Sequence, residues 1–226
     1  MVYTPSELLY NIIRYLDNKD SKNLMICCKS HYNEIDIYYK TKEFKIEELE
    51  KVPKKIREKI RAVNGVKKKK GIEDYKNLKK IRFEWEYNEE LEELPKGIEE
   101  IEVGFTYNKT IDLLPDTIKK IKMGFRFNQP IYRYPRDLEK IRLGYLYNQT
   151  IKHMKRNKKI KKIEIIGIYD KSLEELPDSI EKIKLPEKYK REIKKLPEKI
   201  KEIELYRGQE KLIKDKKKVK LKYKKY

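Results

Sequence analysis

Residues 123–135 read MGFRFNQPIYRYP, and the stretches on either side of them repeat the pattern. VGFTYNKTIDLLP occupies 103–115 and LGYLYNQTIKHMK occupies 143–155, so glycine, two aromatics, asparagine and isoleucine return at the same offsets. Extending the alignment on the recurring Leu-Pro or Tyr-Pro gives units that begin at Tyr75, Pro95, Pro115, Pro135, Lys155, Pro177 and Pro197. The spacing is twenty residues, except for one unit of twenty-two that contains KRNKKI. A short fixed period of this kind is the mark of a solenoid, in which no unit buries its apolar face without a neighbour.

Within a unit, Ile101-Glu102-Val103-Gly104 alternates apolar and polar, which predicts a short strand with one face inward. Equivalent strands are expected near Ile81, Ile121, Ile141, Ile163, Ile183 and Ile203, with a further one at Val219-Lys220-Leu221. Stacked one unit apart, they form a parallel sheet with about 4.8 Å between neighbours. Seven or eight strands are expected, and twenty residues leave room on the return path only for extended chain or a 3₁₀ turn. Asn88, Asn108, Asn128 and Asn148 recur in register, with Asp170 in the equivalent place. A side-chain amide at a bend can satisfy backbone in the neighbouring coil, so this column reads as a structural ladder. The aromatics at 107, 127 and 147 are expected to fill the core beside it, and glycines 104, 124 and 144 to allow close backbone approach.

Two columns of charge follow the same register. Lys79, Glu99, Lys119, Glu139, Lys161, Glu181 and Lys201 alternate in sign, while Arg82, Glu102, Lys122, Arg142, Glu164, Lys184 and Glu204 lie on the outer face of the strands. Self-pairing of these charges along a solvated face is one reading, and a protein-binding surface is the other. The two are compatible. Candidate target contacts are Glu84, Glu86, Glu102, Thr106, Lys122, Arg126, Arg142 and Leu146.

The units resemble FNIP repeats, a relative of leucine-rich repeats found in amoebae and their giant DNA viruses. FNQPI at 127–131 with Tyr134-Pro135 carries the resemblance, and YNKTI and YNQTI are near variants. After Asp170 the units depart from it, with Lys190 at the ladder position and no Gly-aromatic pair in LPEKYKREI.

At the amino end, Leu8, Leu9, Ile12, Ile13 and Leu16 form one apolar helical stripe, and Leu24, Cys27, Cys28 and Tyr32 a second. Pro5-Ser6-Glu7-Leu8-Leu9, Ile12-Ile13, Tyr15-Leu16, Asp20, Leu24 and Cys28-Lys29 resemble an F-box in order and spacing. That resemblance implies docking to the Skp-type adaptor of a cullin-RING ubiquitin ligase through Pro5, Leu8, Leu9, Ile12, Ile13 and Leu16. The alternative is that the same residues form a cap on the solenoid's end.

The expected architecture is therefore α+β. A helical F-box-like module spans 1–45, a helical linker or degenerate first coil 46–74, and a leucine-rich-repeat-like solenoid with a parallel sheet 75–210. A basic strand and tail occupies 211–226. The stretch Val52-Pro53-Lys54-Lys55-Ile56 echoes the start of a repeat, and VKKKKG after it reads as an exposed loop.

Composition limits the function. The net charge is +20, but lysines outnumber arginines 47 to 11 and the excess gathers in residues 206–226, at about +8, and in Lys67–Lys70. Readers of phosphate and bases favour arginine's bidentate fork, so nucleic acid is not the leading expectation. The tail KLIKDKKKVKLKYKKY keeps a polyanion binder open as an alternative. No apolar run reaches about eighteen residues, so no membrane span is expected. The first residues lack the basic start and small-residue cleavage site of a signal peptide, and the cysteines, Cys27 and Cys28, are adjacent. These features suit the cytoplasm or nucleus, in the host cell if the viral resemblance holds. His31 and His153 have no catalytic spacing, and Cys27 with His31 supplies two ligands where zinc needs more. No phosphate loop or nucleophile elbow appears. The expectation is a monomeric, non-catalytic protein without cofactor or metal. In it an adaptor and an unidentified target protein meet on one chain, or a scaffold works without any ubiquitin role.

Overall fold

The computed structural model describes residues 41–49, 52, 57–69, 72–216 and 219–224. Among the described residues ten strands form one sheet in which every neighbouring pair is parallel and the spatial order equals the chain order. They are β1 (Glu43–Lys45), β2 (Ala62–Val66), β3 (Lys80–Phe83), β4 (Glu100–Glu102), β5 (Lys120–Lys122), β6 (Lys140–Leu143), β7 (Lys162–Ile165), β8 (Lys182–Lys184), β9 (Glu202–Leu205) and β10 (Lys220–Tyr223). Each strand carries one inward isoleucine or its equivalent. The register stacks Ile81 on Ile101, Ile121, Ile141, Ile163, Ile183 and Ile203 in turn. The return paths are turns and short 3₁₀ segments such as Lys152–Arg156 and Gln209–Leu212.

The sheet is longer at its amino end than the repeat pattern predicts. β1 and β2 pair with each other, and β2 pairs with β3. Within the described residues of 46–74 the chain forms β2 and the short 3₁₀ segments Ile46–Leu49 and Ile72–Asp74. Ile60, Val63 and Val66 are spaced by three, which mimics a helical stripe. The strand instead keeps Val63 and Val66 buried by a register shift between them, where Gly65 has φ +71°. β1 also begins inside the span assigned to the helical module. The adaptor-contact candidates Pro5, Leu8, Leu9, Ile12, Ile13 and Leu16, with Cys27, Cys28 and His31, lie outside the described residues.

One continuous core runs the length of the array from Phe44 to Ile213. Tyr87, Tyr107, Phe127, Tyr147, Tyr169 and Tyr189 form its spine, with successive rings near-parallel and their centroids 5.7 to 6.3 Å apart. The hydroxyls of Tyr87, Tyr107, Tyr169 and Tyr189 donate to backbone carbonyls, whereas the buried Tyr147 hydroxyl makes no hydrogen bond among the described residues. Tyr107 donates to the Thr110 carbonyl at 2.8 Å and Tyr169 to that of Ser172 at 3.4 Å.

The asparagine ladder forms as the register predicts. Oδ1 of Asn88, Asn108, Asn128 and Asn148 accepts the backbone N–H of Asn108, Asn128, Asn148 and Asp170 respectively, at 2.8 to 3.0 Å. Beyond Asp170 another device takes over. The buried Gln209 amide donates to the carbonyls of Pro186, Glu187 and Tyr189 at 2.9, 3.0 and 3.1 Å. The sheet stays regular there even though the ladder ends. The two-residue insertion is absorbed by buried Asn157, which donates to the Pro135 carbonyl at 2.7 Å and accepts from the N–H groups of Lys159 and Ile160.

Candidate functional site

Beyond each strand's end the chain places three side chains in fixed order, because the coils stack in register. The glycine column comes first. A Cβ on Gly104, Gly124 or Gly144 would lie 1.7 to 1.9 Å from the carbonyl oxygen of the preceding coil, so only hydrogen fits. The next residue then projects outward. Trp85, Phe105, Phe125 and Tyr145 stack ring on ring with centroids 4.5, 4.6 and 4.8 Å apart and planes within 10° of parallel. The ring spacing matches the spacing of the strands beneath. Trp85 is 62% exposed, and Phe125 and Tyr145 are also exposed. With half-buried Phe105 between them, these rings form a surface column of apolar side chains, a feature of the kind found at interaction sites.

The residues one position further on include four of the candidate target contacts. The N–H groups of Thr106, Arg126 and Leu146 donate to the carbonyls of Trp85, Phe105 and Phe125 at 3.1, 2.9 and 3.0 Å. Glu86, Thr106, Arg126 and Leu146 thus form a rim beside the aromatic ladder. Glu102, Lys122 and Arg142 stand on the opposite side of it, paired across β4, β5 and β6 on the sheet face. Glu84 belongs to neither strip. It occupies the glycine column, where its carbonyl faces Gly104. The sequence candidates are therefore split into two strips, and the ladder between them is the feature that sequence reasoning missed.

The sheet face carries the charge. Lys80, Arg82 and Glu43 pair at the amino end, at 2.6 Å for Lys80 and 3.4 Å for Arg82. Glu102 bridges Arg82 and Lys122, and Glu100 bridges Lys120. Burial pushes the Glu102 carboxyl up, but Lys122 and Arg82 outweigh it and hold it below the usual carboxylate range. The flanking column pairs in the same way, with Glu99 between Lys79 and Lys119 at 2.9 and 2.8 Å and Glu181 on Lys201 at 2.6 Å.

In the middle of the sheet the balance fails. The register sets Lys120 against Lys140, Lys122 against Arg142, Lys140 against Lys162 and Lys162 against Lys182. Like charges directly opposite one another destabilise a sheet. Glu100 and Glu102 answer Lys120 and Lys122 from β4, and between β6 and β7 buried Glu164 supplies the acid, 3.0 Å from Lys140, 2.8 Å from Lys162 and 3.9 Å from Arg142. Burial pushes the Glu164 carboxyl up, and hydrogen bonds and charge from Lys162 and Lys140 then bring it down to about 2. The Nε of Arg142 is buried and makes no hydrogen bond within the described residues. A shallow groove of about 230 Å³ runs over this seam.

Among the described residues no group of three or more His, Cys, Asp or Glu could hold a metal ion. His153 packs edge-on against Tyr132 with centroids 5.6 Å apart. No helix among the described residues is long and apolar enough to cross a membrane. Near the basic carboxyl end, β10 pairs with β9 and sets Lys220 and Lys222 against Glu202 and Glu204.

No protein-family model matches the chain, and no curated protein does. Among solved structures it is similar to CroV588, described as a novel circular LRR (leucine-rich repeat) protein. The TM-score is 0.60 and the identity 20%, over 74% of this chain and 27% of that one. The fold is that of a leucine-rich-repeat-like solenoid. The match thus spans about a quarter of the CroV588 chain.

Proposed function

We propose that this protein is a non-catalytic receptor whose solenoid holds a target protein against the aromatic ladder and the charged sheet face. The observation that carries this reading is the surface stack Trp85–Phe105–Phe125–Tyr145 alongside the seam where Lys120 and Lys122 face Lys140 and Arg142. Large rigid aromatics anchor protein interfaces, and charge around them selects the partner. The inner faces of the stack are covered by neighbouring rings. The ladder therefore offers ring edges rather than the open faces on which successive nucleobases stack.

The second half of the proposal concerns residues 1–45. Their resemblance to an F-box supports recruitment of a Skp-type adaptor, so that target and cullin-RING ubiquitin ligase are held on one chain at high effective concentration. Pairing of Lys220 and Lys222 with β9 argues against a free polyanion-binding tail. The test is co-purification of the full chain with the Skp-type adaptor. Adaptor is expected with wild type and lost on Leu9→Asp or Ile12→Asp, while Trp85→Ser and Phe105→Ser retain it and lose the target. Wild type that captures no adaptor leaves a plain interaction scaffold, and target capture indifferent to Trp85→Ser and Phe105→Ser overturns the receptor reading.

A further inference from the structure

The aromatic ladder stops at a vacancy. The inter-coil hydrogen bonds continue past Tyr145, with Ile168 N–H donating to the Tyr145 carbonyl at 3.1 Å, as Leu146 does to Phe125 at 3.0 Å. The next rung of the ring column is therefore Gly167. A side chain is barred from it twice, by φ of +95° and by the Tyr145 carbonyl oxygen 2.0 Å from where a Cβ would stand. Tyr145 has Phe125 on one face, and it also lines a cleft of about 260 Å³ together with Gly167 and Tyr206.

The cleft is electropositive. Lys184, Lys188 and Lys224 line it, with Glu187 as the acid among its lining residues. The Lys224 ammonium sits 4.4 Å from the centre of the Tyr206 ring and donates to the Leu185 carbonyl at 3.1 Å. Lys184 is drawn toward Glu204 at 3.5 Å. Burial and then the charge of Lys184 lower the proton affinity of Lys224, while Glu204 and Glu164 act in the opposite sense. Arg142, whose buried Nε makes no hydrogen bond among the described residues and stands 3.9 Å from Glu164, lies three residues before Tyr145 at the edge of the lysine seam.

We propose that the Gly167 cleft is a slot in which an aromatic side chain, carried by an acidic segment of the partner, stacks on Tyr145 as a fifth rung. The carboxylates flanking that ring lie on Lys184, Lys224 and the Arg142 end of the seam. This rests on the receptor reading above and names the chemistry of its anchor. An acidic peptide fits better than a nucleic acid strand for two reasons. The ladder takes a guest ring only at its ends, because its inner rings cover one another, and Glu100, Glu102, Glu164, Glu202 and Glu204 interrupt the face that a phosphate chain would follow.

The test uses the intact chain and three acetylated hexapeptides, followed by chemical-shift titration and calorimetry. One carries five acids and a terminal phenylalanine, one replaces the phenylalanine with leucine, and one replaces the acids with their amides. The phenylalanine peptide is expected to bind about three- to tenfold more tightly than the leucine peptide, the contribution of one aromatic stack. The amide peptide loses binding. Tyr145→Leu, which keeps apolar volume at an exposed position, removes the preference for phenylalanine, and Lys224→Gln weakens both acidic peptides. Equal affinity for the phenylalanine and leucine peptides overturns the slot, as does an unchanged preference in Tyr145→Leu. No binding by any peptide at millimolar concentration does the same, and so does tighter binding of an oligothymidine. The receptor reading is separable, because it fails on the Trp85 and Phe105 variants at the other end of the ladder.

Discussion

Asn108 Oδ1 accepts the backbone N–H of Asn128 at 2.9 Å, and so ties two successive coils at the bend where neither has a sheet partner. Asn128 repeats the service for Asn148 at 2.9 Å. Removing one acceptor leaves a donor stranded between packed coils. Asn128→Ala is therefore expected to cost about 1–3 kcal/mol, whereas Asn128→Asp keeps the acceptor and loses less. Denaturant midpoints at constant m-value provide the measure. Equal losses for the two variants would mean that packing, not the hydrogen bond, explains the column.

Two glycines are held for different reasons and should respond differently. Gly124 needs space, because a Cβ would sit 1.7 Å from the Gly104 carbonyl oxygen, and backbone cannot swing away. Gly208 needs only its φ of +90°, with nothing within 4 Å of a Cβ. Gly124→Ala is expected to cost more than about 3 kcal/mol and to spread the ring stack above it. Gly208→Ala should cost about 1–2 kcal/mol, the left-handed backbone penalty alone. Thermal unfolding of the pair separates the two mechanisms.

Glu164 holds the seam together, and its contribution has a defined pH window. Its folded pKa of about 2 lies below the unfolded value of 4.5, so the native state binds its proton less readily than the unfolded chain. The stability gained is complete above 4.5 and disappears as the pH falls through about 2. Glu164→Gln leaves Lys140, Lys162 and Arg142 without their acid and is expected to cost about 1–3 kcal/mol at neutral pH. The gap between wild type and variant should stay constant above pH 5 and close by pH 2. A gap that persists undiminished at low pH would trace the loss to packing rather than charge.

The periodicity made the inward half of each coil legible. The isoleucine column, the ring spine at 107, 127 and 147 and the asparagine ladder all follow from spacing, since stacking equivalent residues is the sole way such short units can bury them. The outer ring column was less legible. Alternation along β5 puts Ile121 and Met123 inward and would carry Phe125 with them, but the turn at Gly124 resets the phase and sends Phe125 out. β2 escaped for a similar reason, because the register shift at Val63 and Val66 gives a strand the spacing of a helix. The like-charged pair Lys122 and Arg142 stood in the sequence column, yet its meaning depends on register and on the acids beside it, Glu102 for Lys122 and Glu164 for Arg142.

Trp85 is the sole tryptophan of the chain and the first rung of the outer ladder, so it reports on that surface without labelling. At 62% exposure its emission in the free protein should be red-shifted and open to collisional quenching by iodide or acrylamide. A target that lies along the ladder excludes water from the indole, which predicts a blue shift and at least a severalfold loss of quenching on binding. The short acidic peptides act differently. They are expected at Gly167, at the far end of a column whose rings step by 4.5 to 4.8 Å, and should leave Trp85 emission unchanged while they perturb Tyr145. Phe105→Leu breaks the stack behind the indole and should widen its mobility, seen as lower fluorescence anisotropy in the free state. A target that binds with full affinity yet leaves Trp85 as quenchable as before would place its interface elsewhere on the solenoid.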